Sequence, residues 1–270
     1  MMNIIRADMY RIFRGKGIYI TFAIMLLLVF FSVFIFNSMP QTGIIIAPEG
    51  AEDLNEILLP EMPVMTGATA ATLVFSSMEF MAYFFLPLII IVAMAMFSTG
   101  AIKNELSTGL SRIKLYFSKF LLSFIFCVVL MLMFVLLTIL SATILNGVGY
   151  WGEGLLLDII KMLGALTLLA LAFNSVGMFL CFVTKRTAAV NGIYIALLFV
   201  PSIIVLMLSM AFPNVLEYLN YDLFNQFTVF SQAVLEPSVA DITRSVAVCL
   251  AFIIVPTIAG VSLFRKAEIK

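Results

Sequence analysis

Six stretches of this chain are almost wholly apolar and about 18 residues or longer: 18–36, 81–98, 120–145, 159–183, 188–212 and 245–264. At about 1.5 Å rise per residue, a helix of that length crosses a hydrocarbon core of about 30 Å. Six crossings use about half of the 270 residues or more, so no separate soluble domain remains. Only 11% of the chain is charged, where a soluble domain carries roughly 25%. The fold class that follows is all-α: a polytopic membrane protein of six transmembrane helices spanning 18–264, preceded by an interfacial amphipathic helix over 1–17 and followed by a tail over 265–270.

The net charge of zero conceals a strong polarity. Threading the six spans with both termini on one side gathers Arg6, Arg11, Arg14, Lys16, Lys103, Arg112, Lys114, Lys119, Lys185, Arg186, Arg265, Lys266 and Lys270 on that side. Lys161 and Arg244 alone fall opposite, where most of the acids lie. Basic residues are retained in the cytoplasm during insertion, so both termini are expected to be cytoplasmic. The longest polar stretch, 37–80, has Glu49, Glu52, Asp53, Glu56, Glu61 and Glu79 without a Lys or Arg, which places it outside.

The first apolar run exceeds a signal h-region of about 7–15 residues, and Phe36-Asn37-Ser38-Met39-Pro40 offers no small-x-small cleavage site. It reads as an uncleaved signal-anchor. Cys127, Cys181 and Cys249 lie scattered inside spans and imply neither a disulfide framework nor a metal site.

Ahead of that run, Ile5, Met9 and Ile12 share one helical face, and Asn3, Arg6, Tyr10 and Arg14 share another. A basic amphipathic helix beside a span lies in the interface with its cations near anionic headgroups; the plainer alternative is a basic patch that only sets topology. Gly15 and Gly17 permit a sharp turn into the first span.

Between the second and third spans, 99–119 carries Lys103, Glu105, Arg112, Lys114 and Lys119, capping hydroxyls at Ser107, Thr108 and Ser111, and punctuation at Gly100 and Gly109. Ile102, Leu106, Leu110 and Ile113 recur on one side of a short helix pair. An exposed apolar ridge needs cover, and periodicity alone fits lipid headgroups and a soluble partner equally. Segment 147–158 is a short acidic loop with Tyr150 and Trp151 at interfacial depth, 184–187 is a tight basic turn, and 213–243 forms short helices on or in the outer leaflet.

Polar groups within the spans are few. Asn174, Gly177 and Cys181 share a face with Ala170, a pattern suited to close helix packing through small residues and one amide, so Asn174 and Gly177 read as packing residues before substrate contacts. No Asp, Glu, Lys or Arg falls at a bilayer centre, which argues against an ion-coupled carrier or channel. The chain has no histidine, no paired intramembrane aspartates, no G-x-x-x-x-G-K-[ST] phosphate loop and no basic groove for nucleic acid. It reads as a protein that is not an enzyme and binds no cofactor or metal itself.

Three segments resemble the ABC-2 type permeases, the membrane subunits of bacterial ATP-driven exporters, especially the small bacteriocin and lantibiotic export or immunity group. The start, Ile5-Arg6-Ala7-Asp8-Met9-Tyr10-Arg11-Ile12-Phe13-Arg14-Gly15-Lys16, is similar to the family's elbow helix, with Arg6, Tyr10, Arg11 and Arg14 as its interfacial residues. The stretch from Phe97 to Arg112 resembles its first cytoplasmic loop, and Gly260-Val261-Ser262-Leu263-Phe264-Arg265-Lys266 its C-terminal anchor. The resemblance implies that the loop is a coupling helix docking on an ATP-binding subunit, through Lys103, Asn104, Glu105, Ser107, Gly109 and Arg112. It further implies two ATP-binding subunits holding ATP and Mg, a second permease subunit, identical or homologous, and residence in the bacterial plasma membrane. Segment 213–243 would match the family's re-entrant helices. The expected function is export of an amphipathic or hydrophobic substrate, whether peptide or bacteriocin, toxin, drug or lipid; the alternative in another class is a membrane scaffold or sensor subunit that transports nothing.

Overall fold

Long apolar runs satisfy their backbone hydrogen bonds internally only as helices when no water is at hand, and helix is what this chain forms. A computed structural model of the chain describes residues 2–38, 65–98, 102, 107, 109, 111–235 and 238–266. The acidic run Glu49 to Glu61, together with Lys103, Asn104, Glu105 and the tail 267–270, lies outside the described residues. In chain order the helices are α1 (Met2–Arg14), α2 (Lys16–Ser38), α3 (Gly67–Ser76), α4 (Met81–Ala93), α5 (Ala95–Ser98), α6 (Arg112–Asn146), α7 (Leu155–Thr184), α8 (Thr187–Ser209), α9 (Gln226–Leu235) and α10 (Val239–Lys266). Short 3-10 segments run over Met78–Phe80 and Pro213–Tyr221.

Six helical stretches are long and apolar enough to cross a membrane: Lys16–Ser38, Met78–Phe97, Arg112–Asn146, Leu155–Thr184, Thr187–Ser209 and Val239–Lys266. The chain is therefore an all-helical, multi-pass membrane protein. One end of the bundle, called proximal below, carries α1, the α5–α6 connection, the α7–α8 turn and the end of α10. The distal end carries α3, the α6–α7 loop, the 213–221 segment and α9.

Helix α7 is the axis of the bundle, with α10 running along it and α4, α6, α8 and α9 around it. Two thirds of its most apolar window is buried (67%), against 11% for α8. Pro87 interrupts α4 and deprives the Tyr83 carbonyl of its helical donor. One residue earlier, the Ala82 carbonyl accepts from the buried Tyr194 hydroxyl of α8 at 3.0 Å, which ties α8 to α4 beside the interruption.

Two helical segments lie outside the expected spans. The first precedes 120–145: α6 starts at Arg112, where the Ser111 hydroxyl accepts from the Lys114 amide at 3.3 Å as an N-cap. Its 35 residues run about 50 Å, longer than a ~30 Å hydrocarbon core requires. The second is 65–80, part of the polar stretch. It folds into α3, whose small residues Ala68, Ala70 and Ala71 are buried against the bundle.

The start of α3 is docked by main-chain hydrogen bonds. Its first amides, Gly67 and Ala68, donate to the Gly147 and Val148 carbonyls at 3.0 and 2.9 Å, satisfying donors that a helix start leaves open. Asn146 completes the joint, donating from Nδ2 to Asn37 Oδ1 at 2.9 Å and to the Met65 carbonyl at 3.0 Å. A Cβ at Gly67 would stand 2.2 Å from Thr143 Oγ1 and 3.2 Å from the Val148 carbonyl oxygen. Gly67→Ala is accordingly expected to cost about 1–3 kcal/mol in thermal unfolding of the detergent-solubilised chain. Thr143→Ala in the same chain should return part of that loss.

The two basic residues at the distal end are each neutralised within their own helix. Lys161 pairs with Asp158 at 3.0 Å, and Arg244 pairs with Asp241, both at i, i+3. The α7–α8 turn is made by Lys185, which adopts φ +54° and donates its amide to the Cys181 carbonyl at 3.1 Å.

Candidate functional site

The proximal end gathers most of the basic residues and a buried ion pair between distant segments. Helix α1 turns Ile5, Asp8 and Ile12 inward, leaving Arg6, Tyr10 and Arg14 exposed. Met9, expected on the apolar face, is 38% exposed, and Asp8 holds the inward position instead at 4%. The reason lies on α6. Lys119, fully buried, puts its Nζ 2.5 Å from Asp8 Oδ2, while Arg11 Nη2 reaches Asp8 Oδ1 at 2.8 Å. One carboxylate thus bridges two cations and fastens the elbow helix to a helix more than a hundred residues away in sequence. Tyr19 braces the same elbow by donating its hydroxyl to the Phe13 carbonyl at 2.8 Å, across the bend at Gly15.

Arg112, the first residue of α6, reaches the other chain end. Its Nη1 donates to the Arg265 carbonyl at 2.8 Å and the Phe264 carbonyl at 3.3 Å, so the guanidinium caps the C-terminus of α10. A cation there also opposes the negative end of the helix dipole. Arg112→Ala is expected to fray that last turn, costing about 1 kcal/mol and raising amide exchange at 262–266 in hydrogen-exchange mass spectrometry.

Beneath these polar contacts lies an aromatic cluster. The Tyr116 ring sits 4.7 Å from Phe182 and 6.2 Å from Phe120, and Phe182 meets Phe264 at 4.7 Å and Phe97 at 5.6 Å between centroids. A Cβ at Gly260 would stand 2.8 Å from the Tyr116 hydroxyl, so glycine is what lets α10 approach α6. The first turns of α6 therefore touch α1 through Lys119, α10 through Arg112 and α7 through Tyr116.

Of the docking candidates, Ser107 and Gly109 are exposed at the proximal surface, and Gly109 has φ +81°. Lys103, Asn104 and Glu105 lie outside the described residues. Of the apolar ridge expected here, Leu106 and Leu110 lie outside the described residues. Ile102 is 5% exposed and part of the core, and Ile113 is 39% exposed on α6. Asn174 and Gly177 lie in the second half of α7, just beneath the aromatic cluster. The Asn174 amide donates to the Phe120 carbonyl at 3.1 Å and accepts from Ser123 Oγ at 2.6 Å, and Gly177 packs on Ile89, which a Cβ would meet at 2.7 Å. They join α7 to α6 and α4.

Sequence reasoning missed Asp8 and Lys119 as a pair. The available signal was that Asp8 is the one acid among the basic residues of 1–17, but nothing in the sequence shows which cation it meets.

Six apolar helices, an elbow before the first and a charged connection between the second and third define the architecture of a polytopic transport protein. Residues 4–202 match the family described as ABC-2 family transporter protein, and the chain belongs to that family. It is the membrane component of an ABC transporter, and the family implies partnership with an ATP-binding subunit. The match runs from α1 into α8, so it includes the 99–119 connection and stops before α9 and α10. No curated protein matches the chain.

Proposed function

We propose that this chain is the permease subunit of a bacterial exporter that moves an amphipathic or hydrophobic substrate across the plasma membrane, with both termini cytoplasmic. ATP binding and hydrolysis take place on two separate subunits that hold the ATP and Mg, and this chain itself is not an enzyme. The 99–119 connection is the docking segment, offering Lys103, Asn104, Glu105, Ser107, Gly109 and Arg112. The observation that carries this reading is mechanical. A segment ending in Arg112 passes directly into helix turns that grip α1 by the Asp8–Lys119 pair and α10 by the Arg112 cap. A push on the loop moves the elbow and the last span together, as alternating access requires.

Helices α2, α8 and α10 leave most of their apolar surface uncovered within one chain (28%, 11% and 17% of their most apolar windows buried). A second permease subunit, identical or homologous, would cover part of that surface, lipid the rest. A peptide or bacteriocin, toxin, drug or lipid fits the transport reading.

Purification of the tagged chain from its host in mild detergent, followed by mass spectrometry of co-purifying proteins and an ATPase assay, tests the proposal. A stoichiometric phosphate-loop ATPase whose co-purification is lost when the whole 103–112 segment is replaced supports it. An active membrane complex without any ATPase would overturn it in favour of a scaffold or sensor subunit.

A further inference from the structure

A cavity of about 240 Å³ opens among α7, α8, α10 and the 213–221 segment. Its wall includes six aromatic residues, Phe173, Tyr194, Tyr218, Tyr221, Phe224 and Phe252, and a single acidic residue, Asp222; no Lys or Arg lines it. Ser202 donates to Asp222 Oδ2 at 2.6 Å, which anchors the distal segment to α8. Among the described residues no cation pairs with Asp222, and Oδ1 has no hydrogen-bond partner. The Tyr194 hydroxyl is committed to the Ala82 carbonyl, so that residue presents its ring rather than its polar tip. Tyr218 and Tyr221 are 65% and 57% exposed on the distal roof, beside the carboxylate.

We infer that this cavity is a binding site for an organic ammonium group carried on an apolar chain. A cation is attracted to the faces of aromatic rings, and more so where water is excluded. One carboxylate fixes the sign of the ligand, and the apolar floor of Phe173, Leu197 and Leu198 accepts the chain that bears the charge. Drug-sized ligands occupy pockets of roughly 300–1,000 Å³, so this one suits a headgroup-sized cation. The same chemistry is offered by an aminolipid headgroup and by the amine of a free cationic amphiphile. The site is a statement about binding and stands independently of whether the chain drives export.

Choline and its uncharged isostere 3,3-dimethylbutanol are titrated against the full chain in phosphatidylglycerol nanodiscs, with empty discs as background and saturation-transfer NMR as readout. Wild type should bind choline about tenfold more tightly than the isostere. Asp222→Asn keeps the shape and an acceptor for Ser202, and should diminish that preference severalfold, leaving what the rings contribute. Ser202→Ala removes the competing donor and should retain the preference. Equal binding of choline and isostere by wild type, or an undiminished preference in Asp222→Asn, overturns the site. Adding phosphatidylethanolamine to the discs identifies the source. Displacement of choline marks a lipid headgroup as the occupant, and unchanged choline binding marks a free ammonium ligand; both results uphold the site.

Discussion

Lys119→Met should lower the stability of the detergent-solubilised chain by about 3 kcal/mol, roughly a hundredfold in the folding equilibrium. Lys119 is fully buried and Asp8 is 4% exposed, so the pair is held away from water between α1 and α6. Two charges in such a place attract strongly but have also lost their hydration, and removing one leaves the other desolvated. After Lys119→Met, Asp8 Oδ1 keeps Arg11 at 2.8 Å while Oδ2 loses Lys119. That surviving contact places the cost at the lower end of the ~3–5 kcal/mol seen when buried pairs are broken.

The companion variant separates burial from attraction. Asp8→Leu with Lys119→Met removes both charges and leaves Arg11, which is partly exposed, free to turn its guanidinium to water. Most of the lost stability should return, because replacing a buried pair by apolar groups of similar size is often close to neutral. Thermal unfolding of the wild type, the two single variants and the double variant gives the coupling energy directly. Additive single effects would show that the two residues act separately and that the elbow is held by packing alone.

The six crossings were legible because the signal is long and needs no partner: a run such as 120–145 is apolar whatever it packs against. The beginning of α6 was not legible for a related reason. Arg112, Lys114 and Lys119 end the apolar run, but hydropathy says nothing about whether the helix continues beyond it. Ser111 was noted as a capping hydroxyl, and taking it as the helix start would have placed Arg112 and Lys119 on one rod. Helix α3 was missed because Gly67, Ala68, Ala70 and Ala71 are small, and their contribution is close approach to α6 and the 147–148 backbone, which only the partner surface reveals.

In the candidate site, charge was legible and partnership was not. Arg112 reads as a basic loop residue, but its hydrogen bonds to the Phe264 and Arg265 carbonyls depend on α10 ending within its reach. The helical-wheel reading of α1 places Met9 with Ile5 and Ile12 on one apolar face. Asp8 displaces it because a buried cation waits on α6, and a single ion pair outweighs one thioether. Asp222 read only as one polar residue in an alternating segment, since the rings around it come from α7, α8 and α10.

Substitutions at Gly109 should grade transport by backbone conformation alone. Gly109 has φ +81°, and a Cβ there would meet nothing within 4 Å, so any loss on substitution is conformational strain and not a clash. Asparagine enters the left-handed region more readily than other non-glycine residues, alanine does so at about 1–2 kcal/mol, and proline, with φ fixed near −65°, cannot. Export by the purified complex should therefore fall in the order Gly, Asn, Ala, Pro, with Gly109→Pro at least about tenfold below wild type, the equivalent of ~1.4 kcal/mol of lost coupling. Membrane insertion should be unchanged in all three variants, because Gly109 is exposed and lies between spans. ATP hydrolysis should persist in Gly109→Pro, so that the ratio of export to hydrolysis is what drops; Glu105→Lys, in the same segment, should behave alike through charge. If Gly109→Pro and Glu105→Lys export like wild type, the 99–119 connection does not transmit force. The grip of α6 on α1 and α10 would then serve stability only.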